Sequence, residues 1–138
     1  MDSCLYIKSY LCNRLHRVKL SDVKSDWEYS NRGVPQGSVL GPLLFNIFIN
    51  DLFYVKFSGN IANYADDNNF YDANESLESL KNDMSLDADK ALCWYEENCL
   101  DANPEKFQCM VLNREGKLDV SLDIQRVRIE STAAIKVL

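Results

Sequence analysis

Two adjacent aspartates, Asp66 and Asp67, have the clearest capacity for chemistry in this sequence. An aspartate pair alone more often indicates a turn than a site, because short polar side chains hydrogen-bond to nearby backbone. The context favours a site, since Tyr64 and Ala65 precede the pair and strand-like runs flank it. A hairpin tip would project both carboxylates, and Mg²⁺ binds one or two carboxylates together with substrate phosphates. Two such ions can clamp the attacking and leaving oxygens of a phosphoryl transfer.

Other kinds of site find little support in the sequence. Gly33, Gly37 and Gly41 recur every four residues, but they match neither a dinucleotide fingerprint nor a phosphate-binding P-loop. Ser38 lacks the turn that exposes a hydrolase nucleophile, and His16 is the single histidine, so no Ser-His-Asp triad is indicated. The five cysteines form no CxxC pair, which argues against a structural zinc site.

The aspartate pair must be positioned by the elements on either side of it. Residues 57–64 and 69–71 have strand-like composition, which predicts a hairpin with the aspartates at its tip. Before this hairpin, apolar residues lie on nearly every side of a helix over residues 43–52, with Pro42 in its first turn. A helix that is apolar all round is typical of a buried position, so we predict a buried helix here.

The segment after the hairpin carries most of the acidity of the chain. Apolar residues on one face predict an amphipathic helix that begins at Asn74, as N-cap, and ends near Asn98. The chain of 138 residues has a net charge of −6, and residues 64–101 hold eleven acidic and two basic side chains. Because blocks of like charge usually mark a solvated helix face, the acidity is mostly the outer face of this helix. The net charge argues against a surface dominated by phosphate contacts.

The remaining segments are a short helix and further hairpins. Asp2 or Ser3 can cap a helix that ends before Arg14. Period-two alternation over residues 17–30 predicts a hairpin with its turn near residues 21–25. A last group of strands covers residues 107–112 and 118–129, with a turn at residues 114–117, and residues 31–41 form a Gly/Pro-rich connection. This order of helices and antiparallel hairpins predicts an α+β fold of one domain.

Two motifs resemble those of reverse transcriptases. Residues 64–67, with the sequence YADD, resemble the YxDD box, and residues 32–45, RGVPQGSVLGPLLF, closely resemble the PQG-containing box that precedes it. The resemblance runs from about Tyr6 to Leu112. Further segments resemble the spacing seen in LINE-type, non-LTR retrotransposon enzymes of the jockey-like kind, namely residues 9–14, 50–52, 92–94 and 103–106. The resemblance implies a polymerase palm with antiparallel hairpins, a buried helix and a long amphipathic helix.

The resemblance also implies a role for each matching residue. Asp66 matches the principal metal-binding aspartate and Asp67 its neighbour, near the primer 3′ end and the triphosphate. Tyr64 would pack close to the primer terminus. Lys106 matches a lysine that helps to neutralise or protonate the leaving pyrophosphate. The turn that would meet the template and the incoming nucleotide consists of Pro35, Gln36 and Gly37.

A complete enzyme of this family, by the same resemblance, uses two Mg²⁺ ions, an RNA template, a DNA primer and deoxynucleoside triphosphates. Such enzymes supply another metal-binding aspartate from a strand that lies before the segment matching residues 9–11. The helix position of Asp2 does not match that aspartate. We therefore expect residues 1–138 to be a partial reverse transcriptase domain that lacks this motif, the fingers and most of the thumb. We expect the isolated chain to be inactive and to bind nucleic acid weakly.

Two other interpretations stay open from the sequence. A truncated copy could serve as a noncatalytic module that binds nucleic acid or another protein through the palm surface, or it could be a relic without function. The odd number of cysteines and the N-terminal sequence predict an intracellular protein of the nucleus or cytoplasm, without a secretory signal. The longest apolar stretch, residues 39–57, is too polar to span a bilayer, so no membrane association is expected.

Overall fold

The computed structural model describes residues 2–30, 32–113, 116–125 and 127–132. Backbone contacts divide the chain into two compact units, Met1–Phe48 and Ile49–Leu138. The strands of the described residues form two-stranded antiparallel pairs, which lie between the helices and after the last of them. A mixed fold of helices and small antiparallel hairpins agrees with the predicted α+β class, and the single reverse transcriptase domain stays a prediction.

The first unit begins with helix α1, Ser3–Leu11, and continues into two nested hairpins. Asp2 is the N-cap of α1, as predicted, because its carboxylate accepts the Cys4 N–H at 3.1 Å. The hairpin predicted over residues 17–30 is confirmed, although it begins earlier and its turn is only residues 21–22. Its strands are β1, Arg14–His16; β2, Lys19–Leu20; β3, Val23–Lys24; and β4, Glu28–Ser30. Strand β1 pairs with β4, and β2 pairs with β3.

Helix α2, Gly41–Ile49, forms where the apolar pattern predicted a helix, but the prediction that it is buried is wrong. Leu43 is 56% exposed and Ile47 is 61% exposed. Covering a helix that is apolar on every side takes neighbours on every side. Within the described part of α2, only the two terminal residues are buried. Apolar composition shows that burial of the helix would be favourable. It does not show whether other elements of the chain are present to cover the helix.

The second unit carries the aspartate hairpin and the long helix after it. A 3₁₀ turn, Asn50–Tyr54, leads to strands β5, Asn60–Tyr64, and β6, Asp67–Tyr71, which pair antiparallel. Helix α3, Leu77–Glu97, follows and ends close to the predicted residue. Its N-cap is Ser76 rather than Asn74, because the Ser76 hydroxyl accepts the Ser79 N–H while Asn74 accepts the Ser76 N–H in the preceding turn.

The last elements include two strands that form a hydrophobic core with α3. These elements are a 3₁₀ turn, Pro104–Lys106, and strands β7, Val111–Asn113; β8, Gly116–Leu118; β9, Ser121–Ile124; and β10, Val127–Glu130. The predicted alternation is confirmed, since Leu122, Ile124 and Ile129 are buried and pack against residues of α3 such as Met84. The predicted turn at residues 114–117 lies partly outside the described residues.

Helix α3 positions the aspartate hairpin because it contacts β6 as well as β9. Ala91 and Trp94, two of its residues, are 2% and 8% exposed. Burial of large apolar side chains stabilises a fold by roughly 1 to 3 kcal/mol each. No helix in the described ranges combines the length and the apolar character that a bilayer span requires.

Candidate functional site

The predicted tip of the aspartate hairpin is a two-residue turn. Tyr64 pairs with Asp67 in the register of β5 and β6, so Ala65 and Asp66 form the turn between them. Ala65 has φ 54°, in the left-handed region that costs an alanine roughly 1 to 2 kcal/mol. The hairpin prediction is therefore confirmed, with the tip on Ala65 and Asp66 and with Asp67 at the start of the second strand.

The hairpin has two faces, because side chains alternate along a strand and directly paired residues share a face. Tyr64 and its partner Asp67 are exposed and lie on the outer face. The next pair, Asn63 and Asn68, is half-buried on the opposite face. The residues proposed for chemistry thus point away from the face that the protein supports.

The Asp66 and Asp67 carboxylates are both exposed, and no hydrogen bond or ion pair within the described part of the chain engages them. Their oxygens are the hard donors that Mg²⁺ prefers, and one or two carboxylates per ion are usual where substrate phosphates complete the coordination. The donor set therefore fits a magnesium ion. The described residues contain no group of three or more His, Cys, Asp or Glu side chains close enough to enclose a metal ion.

Asp87 of α3 holds the chain where it enters the hairpin. This carboxylate is 1% exposed. It accepts the Ser58 N–H at 2.7 and 2.9 Å and the Gly59 N–H at 2.8 Å. Lys90 donates to it at 2.9 Å and also to the carbonyl of Lys56 at 2.9 Å. A buried carboxylate is tolerated here because both of its oxygens accept hydrogen bonds.

The environment of Asp87 shifts its acidity in two directions. Burial raises the pKa of the carboxyl group, while the hydrogen bonds from Lys90, Gly59 and Ser58 and the charge of Lys90 lower it. The donors prevail, and the pKa of Asp87 lies below its ordinary value. The group is therefore ionised at neutral pH and acts as a permanent acceptor for the two backbone amides.

Close packing at Gly59 completes this junction. A Cβ at Gly59 would lie 2.9 Å from the carbonyl oxygen of Tyr71 and 3.0 Å from the Cβ of Asp72. The entry to β5 and the exit from β6 therefore approach each other as closely as a glycine permits.

A second set of contacts lies near the tip of the hairpin. The Asn68 side-chain amide donates to the hydroxyl of Tyr95 on α3 at 2.7 Å. Asn63 donates to the Asn68 side-chain oxygen at 2.7 Å and to the Ala65 carbonyl at 2.9 Å. Burial raises the pKa of Tyr95, and the hydrogen bond from Asn68 opposes that rise. Side chains thus join α3 to the turn that carries Asp66.

The PQG segment lies in the first unit and forms a tight turn of its own. The Pro35 carbonyl accepts the Ser38 N–H at 3.2 Å, and Gly37 has φ 76°. A turn with a positive φ at its third residue is of type II, which requires glycine there. Gln36 and Gly37 are exposed, and a Cβ at Gly37 would meet nothing within 4 Å. The turn therefore presents its backbone to solvent.

Two side chains, Ser38 and Arg14, fix the ends of the PQG turn. The Ser38 hydroxyl donates to the Pro35 carbonyl at 2.7 Å and accepts the N–H of Gly41, the first residue of α2, at 3.1 Å. Arg14 donates to the carbonyls of Arg32 and Gly33 at 2.8 and 2.6 Å. The guanidinium thereby joins β1 to the chain that leads into the turn.

The structure places Lys106 at the end of a 3₁₀ turn, with its side chain exposed. Its backbone N–H donates to the carbonyl of Asn103 at 3.0 Å. Among the described contacts, no hydrogen bond or ion pair joins Lys106 to Asp66 or Asp67. The structure therefore brings together Tyr64, Asp66 and Asp67, and Lys106 is not joined to them.

Sequence reasoning missed the residues that support the hairpin. Asp87 belongs to the acidic segment that is predicted to be mostly solvated, whereas its side chain is buried. The signal was present, because Asp87 lies three residues after Met84 and four before Ala91, on the apolar stripe of α3. The pairing of Asn68 with Tyr95 had no such signal, since it depends on how the hairpin lies on the helix.

A comparison with protein families gives one match across almost the whole chain. The family described as "Reverse transcriptase (RNA-dependent DNA polymerase)" matches residues 1–134. The chain belongs to the reverse transcriptase family. The match extends beyond both ends of the segment over which the motifs resembled that family.

Two similar proteins of Drosophila melanogaster connect this reverse transcriptase segment with LINE-type elements. The "RNA-directed DNA polymerase from mobile element jockey" is 31% identical over 133 residues, which are 90% of this chain and 14% of that protein. The "Probable RNA-directed DNA polymerase from transposon BS" is 26% identical over 141 residues, which are 96% of this chain and 16% of that protein. The chain thus spans about a sixth of the length of these relatives. The expected relationship to non-LTR, jockey-like reverse transcriptases is confirmed. No solved structure matches the chain.

Proposed function

We propose that this chain is the part of an RNA-directed DNA polymerase palm that carries the metal-binding turn. The single observation that carries the proposal is the tip of the β5–β6 hairpin. Two exposed carboxylates lie there, and a hydrogen bond from Asn68 to Tyr95 joins the hairpin to α3. The family match supports the same interpretation, because it covers the turn and the PQG segment in one chain.

In the proposed site, Asp66 and Asp67 hold Mg²⁺ and are its ligands from this chain. When bound, two such ions would stabilise the attacking primer oxygen and the leaving pyrophosphate oxygen of nucleotidyl transfer. Tyr64 shares the outer face with Asp67 and packs against the primer terminus. The remaining assignments rest on the resemblance: Pro35, Gln36 and Gly37 contact the RNA template and the incoming deoxynucleoside triphosphate, and Lys106 neutralises the leaving pyrophosphate.

Metal binding tests the proposed role of the two aspartates. Mn²⁺ serves as a paramagnetic substitute for Mg²⁺, and the relaxation rate of water protons reports how much of it is bound. We expect the variant Asp66→Asn/Asp67→Asn to bind Mn²⁺ at least about 10-fold more weakly than the natural chain, a loss of about 1.4 kcal/mol or more. Asp22→Asn, in the exposed turn between β2 and β3, is the matched control and should leave the affinity unchanged. Equal Mn²⁺ affinity in all three proteins would contradict the proposal.

We also propose that the 138-residue chain does not polymerise alone. Two carboxylates hold and orient a pair of metal ions poorly, and misplacement of the reacting atoms lowers the rate steeply. Primer extension on an RNA template with Mg²⁺ and deoxynucleoside triphosphates measures this directly. Metal-dependent extension by the natural chain that disappears in Asp66→Asn/Asp67→Asn would contradict the proposed inactivity while supporting the proposed site.

The net charge of −6 bears on nucleic-acid binding by the isolated chain. Affinity for a phosphate backbone arises mainly from Lys and Arg displacing counterions, so we propose weak binding of RNA that salt readily screens. Filter binding across a salt series measures it. Tight binding that persists at high salt would instead favour a noncatalytic nucleic-acid-binding module.

A further inference from the structure

We propose that Tyr95 of α3 is a positioning residue for the YADD turn and acts through a relay of hydrogen bonds formed by Asn68 and Asn63. The proposal rests on the proposed function, since it concerns the same turn. It adds a residue that lies 28 positions after Asp67 in the sequence and would act on the turn through Asn68.

The relay is continuous from the helix to the turn. The Tyr95 hydroxyl accepts from Asn68, the Asn68 side-chain oxygen accepts from Asn63, and Asn63 donates onward to the Ala65 carbonyl. The three distances are 2.7, 2.7 and 2.9 Å, all within the range of well-formed hydrogen bonds. The Ala65 carbonyl can only accept, so it orients the Asn63 amide with its nitrogen towards the turn. That nitrogen also donates to the Asn68 oxygen, which leaves the Asn68 nitrogen to donate to the Tyr95 hydroxyl.

The relay ends on the residue of the turn that most needs support. Ala65 has φ 54°, which an alanine adopts only at a cost, and an Asn63 bond to its carbonyl favours that conformation. Longer contacts of 3.5 Å reach the carbonyls of Asp66 and Asp67 from the Asn68 and Asn63 amides. The backbone carbonyls of the turn therefore face the relay, while the two carboxylates are exposed.

Two of the three bonds of the relay are partly buried, those from Asn63 to Asn68 and from Asn68 to Tyr95, while the bond to the Ala65 carbonyl is exposed. The side chains of Asn63, Asn68 and Tyr95 are all half-buried. Water competes less for polar groups in such a position, and a broken bond leaves a desolvated partner behind. Removal of the Tyr95 hydroxyl should therefore change the order of the turn while the ring still packs beside Trp94 at a centroid distance of 5.7 Å.

The two attachments of the hairpin to α3 have different consequences. The Asp87 carboxylate accepts hydrogen bonds from the amides of Ser58 and Gly59, at the end of the hairpin opposite the tip. That attachment fixes where the hairpin begins, and the relay from Tyr95 fixes how the tip is held. We therefore expect Tyr95 to affect the turn and its metal ligands without a comparable effect on the core that α3 forms with β9 and β10.

The experiment measures amide hydrogen exchange by NMR in Tyr95→Phe, with Tyr71→Phe as the matched control. Tyr71 is the last residue of β6, is 56% exposed, and loses the same hydroxyl. We expect Tyr95→Phe to raise the exchange of the Tyr64 and Asp67 amides about 5-fold, the factor that corresponds to one hydrogen bond of ordinary strength. The amides of Leu122 and Ile124 in β9 should exchange as before. Asn63→Ala, which cuts the relay at the turn, should have the same local effect.

The Mn²⁺ affinity of the same variants provides a readout that a purely structural role would not change. We expect Tyr95→Phe to weaken Mn²⁺ binding about 3- to 10-fold, because the ligands are less well held, while Tyr71→Phe binds as the natural chain does. Equal tip exchange in the two Tyr→Phe variants would overturn the inference, even where Asp66→Asn/Asp67→Asn still abolishes metal binding. Faster tip exchange together with Mn²⁺ binding that does not depend on Asp66 and Asp67 would overturn the proposed function and the role of the relay in it.

Discussion

The β2–β3 hairpin and the β5–β6 hairpin have turns that are built alike and surroundings that differ. Ser21 and Ala65 each occupy the first turn position with φ 54°, and each is followed by an aspartate, Asp22 or Asp66. The strands of the first hairpin are two residues long and fully exposed. Those of the second are five residues long, and one face is half-buried on the side of α3.

The comparison shows what the proposed site has in addition to an exposed carboxylate in a turn. A two-residue hairpin with a left-handed first position can form on short, exposed strands, as β2 and β3 do. The β5–β6 hairpin adds the second carboxylate of Asp67 and two attachments to a helix, one at Asp87 and one at Tyr95. Precise placement of metal ligands depends on such supporting contacts.

The largest effect is expected from removing the attachment at Asp87. Asp87→Ala leaves two backbone amides without their acceptor and leaves Lys90 without its partner, which should lower the free energy of unfolding by about 3 kcal/mol. Asp22→Ala, in the exposed hairpin, should change it by less than about 0.5 kcal/mol. Urea unfolding followed by Trp94 fluorescence in a Trp27→Phe background measures both. Equal free energies of unfolding for Asp87→Ala and Asp22→Ala would contradict the claim that Asp87 supports the β5–β6 hairpin.

Crowding the junction at Gly59 should have the next largest effect. Gly59→Ala places a Cβ 2.9 Å from the Tyr71 carbonyl, which is backbone and cannot rotate away, so we expect a loss of about 2 kcal/mol. Gly37→Ala meets open space and retains only the conformational cost of its positive φ, about 1 kcal/mol. The same urea experiment compares them. A larger loss at Gly37 would contradict the close packing inferred at Gly59.

The acidity of Asp87 predicts a smaller, pH-dependent effect. Its pKa is lower in the folded protein than the ordinary carboxyl value of 3.8, so its contribution to stability is present above that value and is lost as the pH falls through the folded-state pKa. The difference in unfolding free energy between the natural chain and Asp87→Asn should therefore narrow as the pH is lowered below about 4. If this difference in unfolding free energy stays constant from neutral to acidic pH, the ionised Asp87 carboxylate does not stabilise the fold.

The smallest effect is expected where the two hairpins are alike. Ala65→Gly and Ser21→Gly each relieve a left-handed residue, and each should stabilise its hairpin by about 0.5 to 1 kcal/mol. Amide exchange of the strand residues beside each turn measures the change locally. Stabilisation of one hairpin and destabilisation of the other would show that the two turns differ in conformation despite the equal φ values of Ser21 and Ala65.

The sequence predicted the elements whose signal is local. Alternation and turn composition placed the YADD hairpin, and the apolar stripe placed α3. The N-cap was misplaced at Asn74 because Asn74 and Ser76 are both good caps, and the backbone conformation decides between them. The helix predicted to be buried is mostly exposed, because burial depends on neighbouring elements and the periodicity of one segment does not report them.

The candidate site divides in the same way. The YADD and PQG motifs are continuous segments, so Asp66, Asp67 and the PQG turn could be proposed from the sequence alone, and their roles stay predictions. The support of the site depends on which residues meet in space. Asp87 could have been found as a charge on the apolar stripe of α3, whereas the bond between Asn68 and Tyr95 requires the register of the hairpin and its position on the helix.

The most direct test of the account transfers the aspartate pair to the unsupported hairpin. The variant Ser21→Ala/Val23→Asp gives β2–β3 the same turn sequence as the YADD tip on a chain that keeps its natural site. Mn²⁺ is added while the broadening of each backbone amide signal is followed by NMR. We expect the signals of residues 65–68 to broaden at Mn²⁺ concentrations at least about 10-fold lower than those of residues 21–24, a difference of about 1.4 kcal/mol. Equal broadening at the two turns would contradict the claim that support by α3, and not the turn alone, makes the site.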